Sequence, residues 1–317
     1  MLKLVQETSQ LEHFGRALMA LGIVREDLVV LDPDVAESTK TTYFAERFPG
    51  RFIEVGISEQ DMIGVAAGLA ASGKTPVACG FAAFVACRAW EQIANSVARP
   101  GLNVKIVGTH SGLSPSADGA SHQTIGDVAL MRVLPSMKVV VPADAAEAVE
   151  ALEGVVEASG PAYLRLMRGS TPVVYDEGCD FEIGRVNLLR DGSDATIVAN
   201  GVMVGMALEA AKRLSLCGIS ARVLDMHTVK PLDVSAVGEA VRETGAIVTA
   251  EEHSVIGGLG GAVAETIVCD SPTPMAMVGV KDRFSGSSRS HRELLASLGL
   301  TPDTIVRAVQ STMEKRK

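Results

Sequence analysis

Residues 195–224, ATIVANGVMVGMALEAAKRLSLCGISARVL, read in one pass as strand, helix, strand. Ala195 to Ala199 is a short apolar run, Val204 to Leu214 spaces its apolar residues at a helical period, and Ser220 to Leu224 turns apolar again. Two strands joined through a helix need a crossover connection, so they run parallel in an α/β sheet. The pattern continues toward the C-terminus with a helix over Val234 to Glu243, a strand over Ala246 to Ala250 and a helix over Leu259 to Val268. A last strand near Ala276 to Val280 and a helix over Pro302 to Thr312 close the unit, and the basic tail, Lys315 to Lys317, is expected to fray.

Toward the N-terminus the same alternation recurs. Leu28 to Leu31, Pro76 to Cys79, Val104 to Gly108 and Lys138 to Val141 read as buried strands. Glu59 to Ser72 and Phe84 to Ala98 have helical spacing, and Asp144 to Glu157 follows a Pro-Ala-Asp turn that offers an N-cap. Around Arg168 to Arg185 the texture changes to Gly, Pro, Asp and Tyr without a helical period. The expectation is an α/β protein of two doubly wound domains, residues 1–172 and 189–317, with a linker over 173–188.

Composition narrows the classes of function. The chain has 317 residues, enough for about two domains of ordinary size, and its 47% hydrophobic and 21% charged content is that of a folded globular protein. A formal charge of −9 without a basic run argues against nucleic acid or an anionic membrane as partner. Met1 to Gln10 lacks a basic stretch followed by an apolar one, which points to a cytoplasmic protein. Five scattered cysteines without a C-x-x-C pair suggest neither a disulfide framework nor a zinc site, and no metal ligand is assigned to this chain.

The densest chemistry lies in Thr109 to Asp127, THSGLSPSADGASHQTIGD, a loop that follows a predicted strand. In open α/β sheets ligands sit beyond the carboxyl ends of the strands. His110 and His122 are candidates for hydrogen bonding or proton transfer near neutral pH, and Asp118 for accepting from a hydroxyl. The same composition also suits a polar surface loop. Glu59 opens a helix, where a carboxylate can equally cap the first turn. Phe81 and Phe84 can form a wall for a planar ring or simply pack. Arg168 can hold a phosphate in its fork or lie solvated. Gly257-Gly258-Leu259-Gly260-Gly261 lacks the spacing of a dinucleotide fingerprint and reads as close packing of a helix start. His227 and His253, at strand ends, read as structural.

Taken in order, EVGISEQ around Glu59, the Phe81 and Phe84 pair, Thr109-His110, ADGASHQ at 117–123 and PAD at 142–144 resemble the C-terminal half of transketolases. More distantly, the chain is similar to deoxyxylulose-phosphate synthases and to beta subunits of 2-oxoacid dehydrogenases. The resemblance implies a pyrimidine-binding domain followed by a transketolase C-terminal domain. By that resemblance Glu59 bonds the aminopyrimidine of thiamine diphosphate and is catalytic with His122, while Phe81 and Phe84 stack on the ring. Asp118 matches the position that binds the substrate hydroxyl next to the carbonyl carbon, and Ser38, His110 and Arg168 match phosphate-binding positions of the sugar site.

Two departures accompany the match. An arginine usual near the start of this domain stands here as Leu11, before Phe14-Gly15. The half that carries Gly-Asp-Gly and a downstream Asn for Mg2+ and the diphosphate has no counterpart in this sequence. The resemblance therefore implies a partner N-terminal subunit holding Mg2+, in an α2β2 heterotetramer, and two-carbon ketol transfer from a ketose phosphate to an aldose. The alternatives are a decarboxylating thiamine enzyme component, synthase-like or dehydrogenase-like, and a non-catalytic paralogue.

Overall fold

The structure, a computed structural model, describes residues 7–176 and 178–316; the parts of the terminal readings that fall on 1–6 and on Lys317 lie outside the described residues. The first half of the chain contributes β1 (Glu7–Ser9), β2 (Leu28–Asp32), β3 (Phe52–Glu54), β4 (Thr75–Phe81), β5 (Lys105–Thr109), β6 (Lys138–Val140), β7 (Ala162–Arg165) and β8 (Ser170–Pro172). The second contributes β9 (Asn187–Arg190), β10 (Ala195–Ala199), β11 (Ala221–Asp225), β12 (Thr228–Lys230), β13 (Ile247–Ser254) and β14 (Met275–Val280). They form a sheet ordered β12-β6-β7-β5-β4-β2-β3, a second ordered β14-β13-β10-β11-β9, and a small β1-β8 pair. Within each large sheet the strands pair in parallel, except that β12 and β9 lie antiparallel on edges. The expected α/β architecture of two wound sheets is the one observed.

Alternation along the strands decides which helix covers which face. Leu31, Ala78 and Ile106 pack with Met62, Ile63 and Ala66 from the helix Glu59–Ala71. Their neighbours Val30, Val77 and Val107 pack on the other face with Phe14 and Leu18 of Gln10–Val24 and with Leu152 and Val155 of Ala145–Glu157. Leu11 belongs to this core at 4% exposure. It is a packing residue rather than part of the surface that carries the histidines. In the second sheet Ile197, Val223 and Val248 meet the helix Met203–Leu216, while Val198, Leu224 and Ile247 pack with residues of Val234–Thr244 and Leu259–Asp270.

Three local expectations are corrected or sharpened. The single helix read over Phe84 to Ala98 is broken into Ala82–Val85, a short turn Trp90–Gln92 and a π-helical Ile93–Ala98. Ala89 N–H reaches back to Phe84 O, and Arg99 N–H to Ala94 O, so the turns are wider than α and the period drifts. The tail is tied at Arg316, whose Nη1 donates to Thr244 O at 2.8 Å; that carbonyl ends the helix Val234–Thr244 and needs a donor from outside it. The glycine run does pack closely: a Cβ on Gly258 would meet Glu251 Oε2 at 2.0 Å, and Glu251 in turn accepts from Leu259 N–H and Gly260 N–H.

The described residues of 173–188 form no helix and enter β9 at Asn187; Val174 N–H and Tyr175 N–H donate to Asp144 Oδ2 at 2.7 and 2.8 Å. The two sheets are also joined through β12, a strand of the second half that completes the edge of the first sheet against β6. Among the described residues no helix is long and apolar enough to cross a membrane.

Candidate active site

The candidate residues other than Ser38 converge beyond the carboxyl ends of the first sheet. Glu59 opens the helix that follows β3, Phe81 is the last residue of β4, His110 follows β5, and Arg168 lies shortly after β7. Parallel strands end at one rim, so residues distant in sequence become neighbours there.

Glu59 is 4% exposed, and its Oε2 accepts from Arg88 Nη1 at 2.9 Å. No side chain caps this helix, and the carboxylate is held by the arginine instead of by backbone N–H groups. The Arg88 guanidinium also covers the Phe84 ring at 4.6 Å, a cation–π contact. Phe84 meets His122 edge-on, centroids 5.3 Å apart at 74°, and lies 6.2 Å from Phe81. Phe81 in turn lies 4.1 Å from the His110 ring. Carboxylate, guanidinium, two phenyl rings and two imidazoles thus form one continuous array.

His110 is buried with φ 52°, a left-handed conformation uncommon for a residue with a side chain, and its Nδ1 lies 3.1 Å from Thr109 Oγ1. Burial, with Arg168 and His122 nearby, pushes its pKa down to about 4 against the opposing Asp118. It is a neutral hydrogen-bonding group at neutral pH. Asp118 Oδ2 accepts from Arg168 Nη1 at 2.6 Å, both side chains partly exposed, and Arg168 N–H is anchored on Ser114 Oγ at 2.9 Å. His122 Nδ1 lies 3.0 Å from Ser121 Oγ. Ser38 stands apart: it is exposed on the short helix Ala36–Thr39, and no hydrogen bond among the described residues joins it to the others. The two histidines assigned to structure are buried, His227 against Phe181 and His253 beside Ser254 O.

Arg88 was not singled out from the sequence, although it stands four residues after Phe84, a spacing that puts side chains on one helical face. A buried carboxylate joined through an arginine to a pair of phenyl rings suits a planar heterocycle with a hydrogen-bonding edge. Glu59, Gln60, Arg88 and Gln92 line an open hollow of about 540 Å3, and among the described residues the buried Gln92 Oε1 has no hydrogen-bond partner. The Glu59 carboxylate can accept from an aminopyrimidine edge, and the two phenyl rings adjoin it through Arg88. A larger cleft, about 800 Å3, lies elsewhere, between Arg132, Lys230 and Glu265.

Comparison with known proteins adds the following. Residues 7–173 match the transketolase pyrimidine binding domain and residues 184–305 the transketolase C-terminal domain. The chain is 43% identical over 305 residues to a "Putative transketolase C-terminal section" of Methanocaldococcus jannaschii, covering 95% of each. It is 44% identical over 289 residues to a 6-deoxy-6-sulfo-D-fructose transketolase subunit of Clostridium sp. (strain MSTE9), covering 91% of this chain and 89% of that one. A solved structure described as "Split gene transketolase, inactive beta4 tetramer" superposes with a TM-score of 0.90 at 50% identity, covering 96% of this chain and 98% of that one.

Proposed function

The chain belongs to the transketolase family, and on that premise we propose that it is the C-terminal subunit of a split transketolase. With an N-terminal partner subunit it transfers a two-carbon ketol unit from a ketose phosphate to an aldose, using thiamine diphosphate. The partner binds Mg2+ and the diphosphate, in an α2β2 assembly within the cytoplasm. The observation that carries this is the array running from Glu59 through Arg88 and Phe84 to His122. Relatives described as subunits or sections of transketolases support the division of labour.

When bound, thiamine diphosphate supplies a carbon nucleophile and an electron sink. This chain's residues do the rest of the work at that end of the site. Glu59 accepts a hydrogen bond from the aminopyrimidine edge through the oxygen not taken by Arg88, and sets the ring's protonation. Phe81 and Phe84 orient the ring by stacking. His122, held against Phe84, is placed to pass a proton at the substrate oxygen. Asp118 accepts from a substrate hydroxyl, and Arg168, His110 and Ser38 bind the phosphate end. Arg168 does so as a cation and His110 as a neutral donor.

The test is ketol transfer from xylulose 5-phosphate to ribose 5-phosphate, with thiamine diphosphate and Mg2+. The chain is assayed with and without a neighbouring gene product that carries Gly-Asp-Gly. Activity in the mixture alone is expected. A stable complex without transfer redirects the substrate to another sugar, and no complex removes the subunit assignment.

A further inference from the structure

The loop that carries Asp118 and His122 is gripped from outside its own sheet. Its base is closed by a bridge between Gly112 and Thr124, with Thr124 N–H donating to Gly112 O at 3.0 Å. Beside that bridge stands Glu252 of β13, 4% exposed, whose Oε1 accepts from Leu113 N–H at 2.7 Å. The same Oε1 lies 2.7 Å from His291 Nε2, at the start of the helix His291–Ser297. Gly112 has φ +60°, and a Cβ there would meet the Glu252 carboxyl carbon at 2.7 Å, so only glycine lets the carboxylate reach the loop. The Leu113 side chain is wholly buried in the core beneath the second sheet.

A second hold lies nearer the tip. Gln123, next to His122, donates from Nε2 to Gly286 O at 3.2 Å and bonds Ser285 Oγ, and Ser288 N–H donates to Ser116 O at 2.9 Å. The segment 285–288 thus runs alongside the loop as a strap. Each hold joins the second sheet's half to the loop.

We infer that Glu252, with His291 behind it, and Gln123 are positioning residues that fix Asp118 and His122 against the substrate. The second half of the chain then sets substrate geometry without lending a side chain to the reacting atoms. This rests on the function proposed above for Asp118 and His122. A glutamate accepting at one oxygen from both a loop N–H and an imidazole is restrained on two sides, so the loop inherits the rigidity of β13.

The experiment compares the wild-type chain with Glu252→Ala, Glu252→Gln and Gln123→Ala. Hydrogen exchange of the full chain is followed at residues 109–127, with the helix Ala145–Glu157 as internal standard. Loss of the buried acceptor in Glu252→Ala, or of the bonds to Ser285 and Gly286 in Gln123→Ala, should speed exchange across the loop about tenfold or more, with Glu252→Gln closer to wild type because its amide oxygen still accepts from Leu113 N–H. In the complex with the partner subunit, the same two alanine variants should raise KM for the sugar donor about five- to tenfold, leaving half-saturation by thiamine diphosphate within about twofold. Gln123, partly exposed, is the control should Glu252→Ala not fold. Unchanged exchange in the alanine variants that fold overturns the inference. So does faster exchange with unchanged donor KM. If the wild-type complex transfers no ketol from any sugar tested, the proposed function falls, and the grip on the loop is decided by exchange alone.

Discussion

Arg88 Nη1 lies 2.9 Å from Glu59 Oε2, joining a half-exposed guanidinium to a buried carboxylate. Among the described residues the other carboxylate oxygen has no hydrogen-bond partner, which is what a group that must both be held and accept from a ligand requires. Glu59→Gln keeps the size and an acceptor for Arg88 but loses the charge. We predict an unfolding midpoint close to wild type and a turnover lowered about a hundred- to ten-thousandfold in the complex. Arg88→Gln should lower turnover less, since that side chain orients Glu59 without being the acceptor. Near-normal turnover in Glu59→Gln sinks the assignment.

Phe84 touches Phe81, Arg88 and His122 at once, so it is the residue whose loss loosens the array most. Phe84→Leu retains apolar volume and removes the ring. Titrating thiamine diphosphate into the complex should show half-saturation moved up about two- to tenfold, the magnitude of one aromatic contact. A shift no larger than that of a leucine at Phe44, a buried phenylalanine in the other face's core, would count against a stacking role.

The Arg168 and Asp118 pair, 2.6 Å apart, predicts a selectivity change. Arg168→Ala should raise KM for phosphorylated sugars about ten- to a hundredfold, the worth of a charge-assisted hydrogen bond, while KM for an unphosphorylated ketose moves far less. Equal loss for both substrates places Arg168 outside the phosphate end.

Stability should carry a pH signature from Asp225. Burial pushes its carboxyl up to about 7, and the neighbouring Glu147 is raised further by its own burial and by Asp225; Tyr175 Oη donates to Asp225 Oδ2 at 2.9 Å. A carboxyl raised on folding binds its proton more tightly in the native state. Its contribution is full below the unfolded value of about 4 and is lost as pH rises through about 7. Urea midpoints across about pH 5 to about pH 8 should therefore fall more steeply for wild type than for Asp225→Asn. Parallel curves would show that the pair does not titrate in this window.

Much of the fold is legible because it follows from period and burial alone. The runs 28–31, 195–199 and 220–224 combine apolar character with strand length, and the strands Leu28–Asp32, Ala195–Ala199 and Ala221–Asp225 lie there, buried between helices. The helix over Phe84 to Ala98 was misjudged because spacing alone cannot register i to i−5 bonds such as Ala89 N–H to Phe84 O. β12 escaped because three residues after a strand end carry no period, and its pairing with β6 is set by tertiary contact. At the site, residue types suggested Glu59, Phe84 and His122 and left Arg88 out, since a surface arginine has no local mark that it will turn back on a carboxylate 29 residues away. Glu252 was more remote still, 139 residues from the N–H it holds.

The placement of Thr228–Lys230 on the first sheet bears on how such a chain can be recombined. Its edge pairing with Val139 and Val140 is reinforced by Val141 N–H donating to His227 O at 2.7 Å and by Lys230 Nζ donating to Arg132 O at 2.8 Å. A cut between the two halves would bare β6 as an open edge, the kind of surface on which foreign strands add and aggregates begin. The halves are therefore not freely exchangeable modules. A chimera that keeps the first sheet must import Thr228–Lys230 with it, or replace those three residues with a strand of matching register.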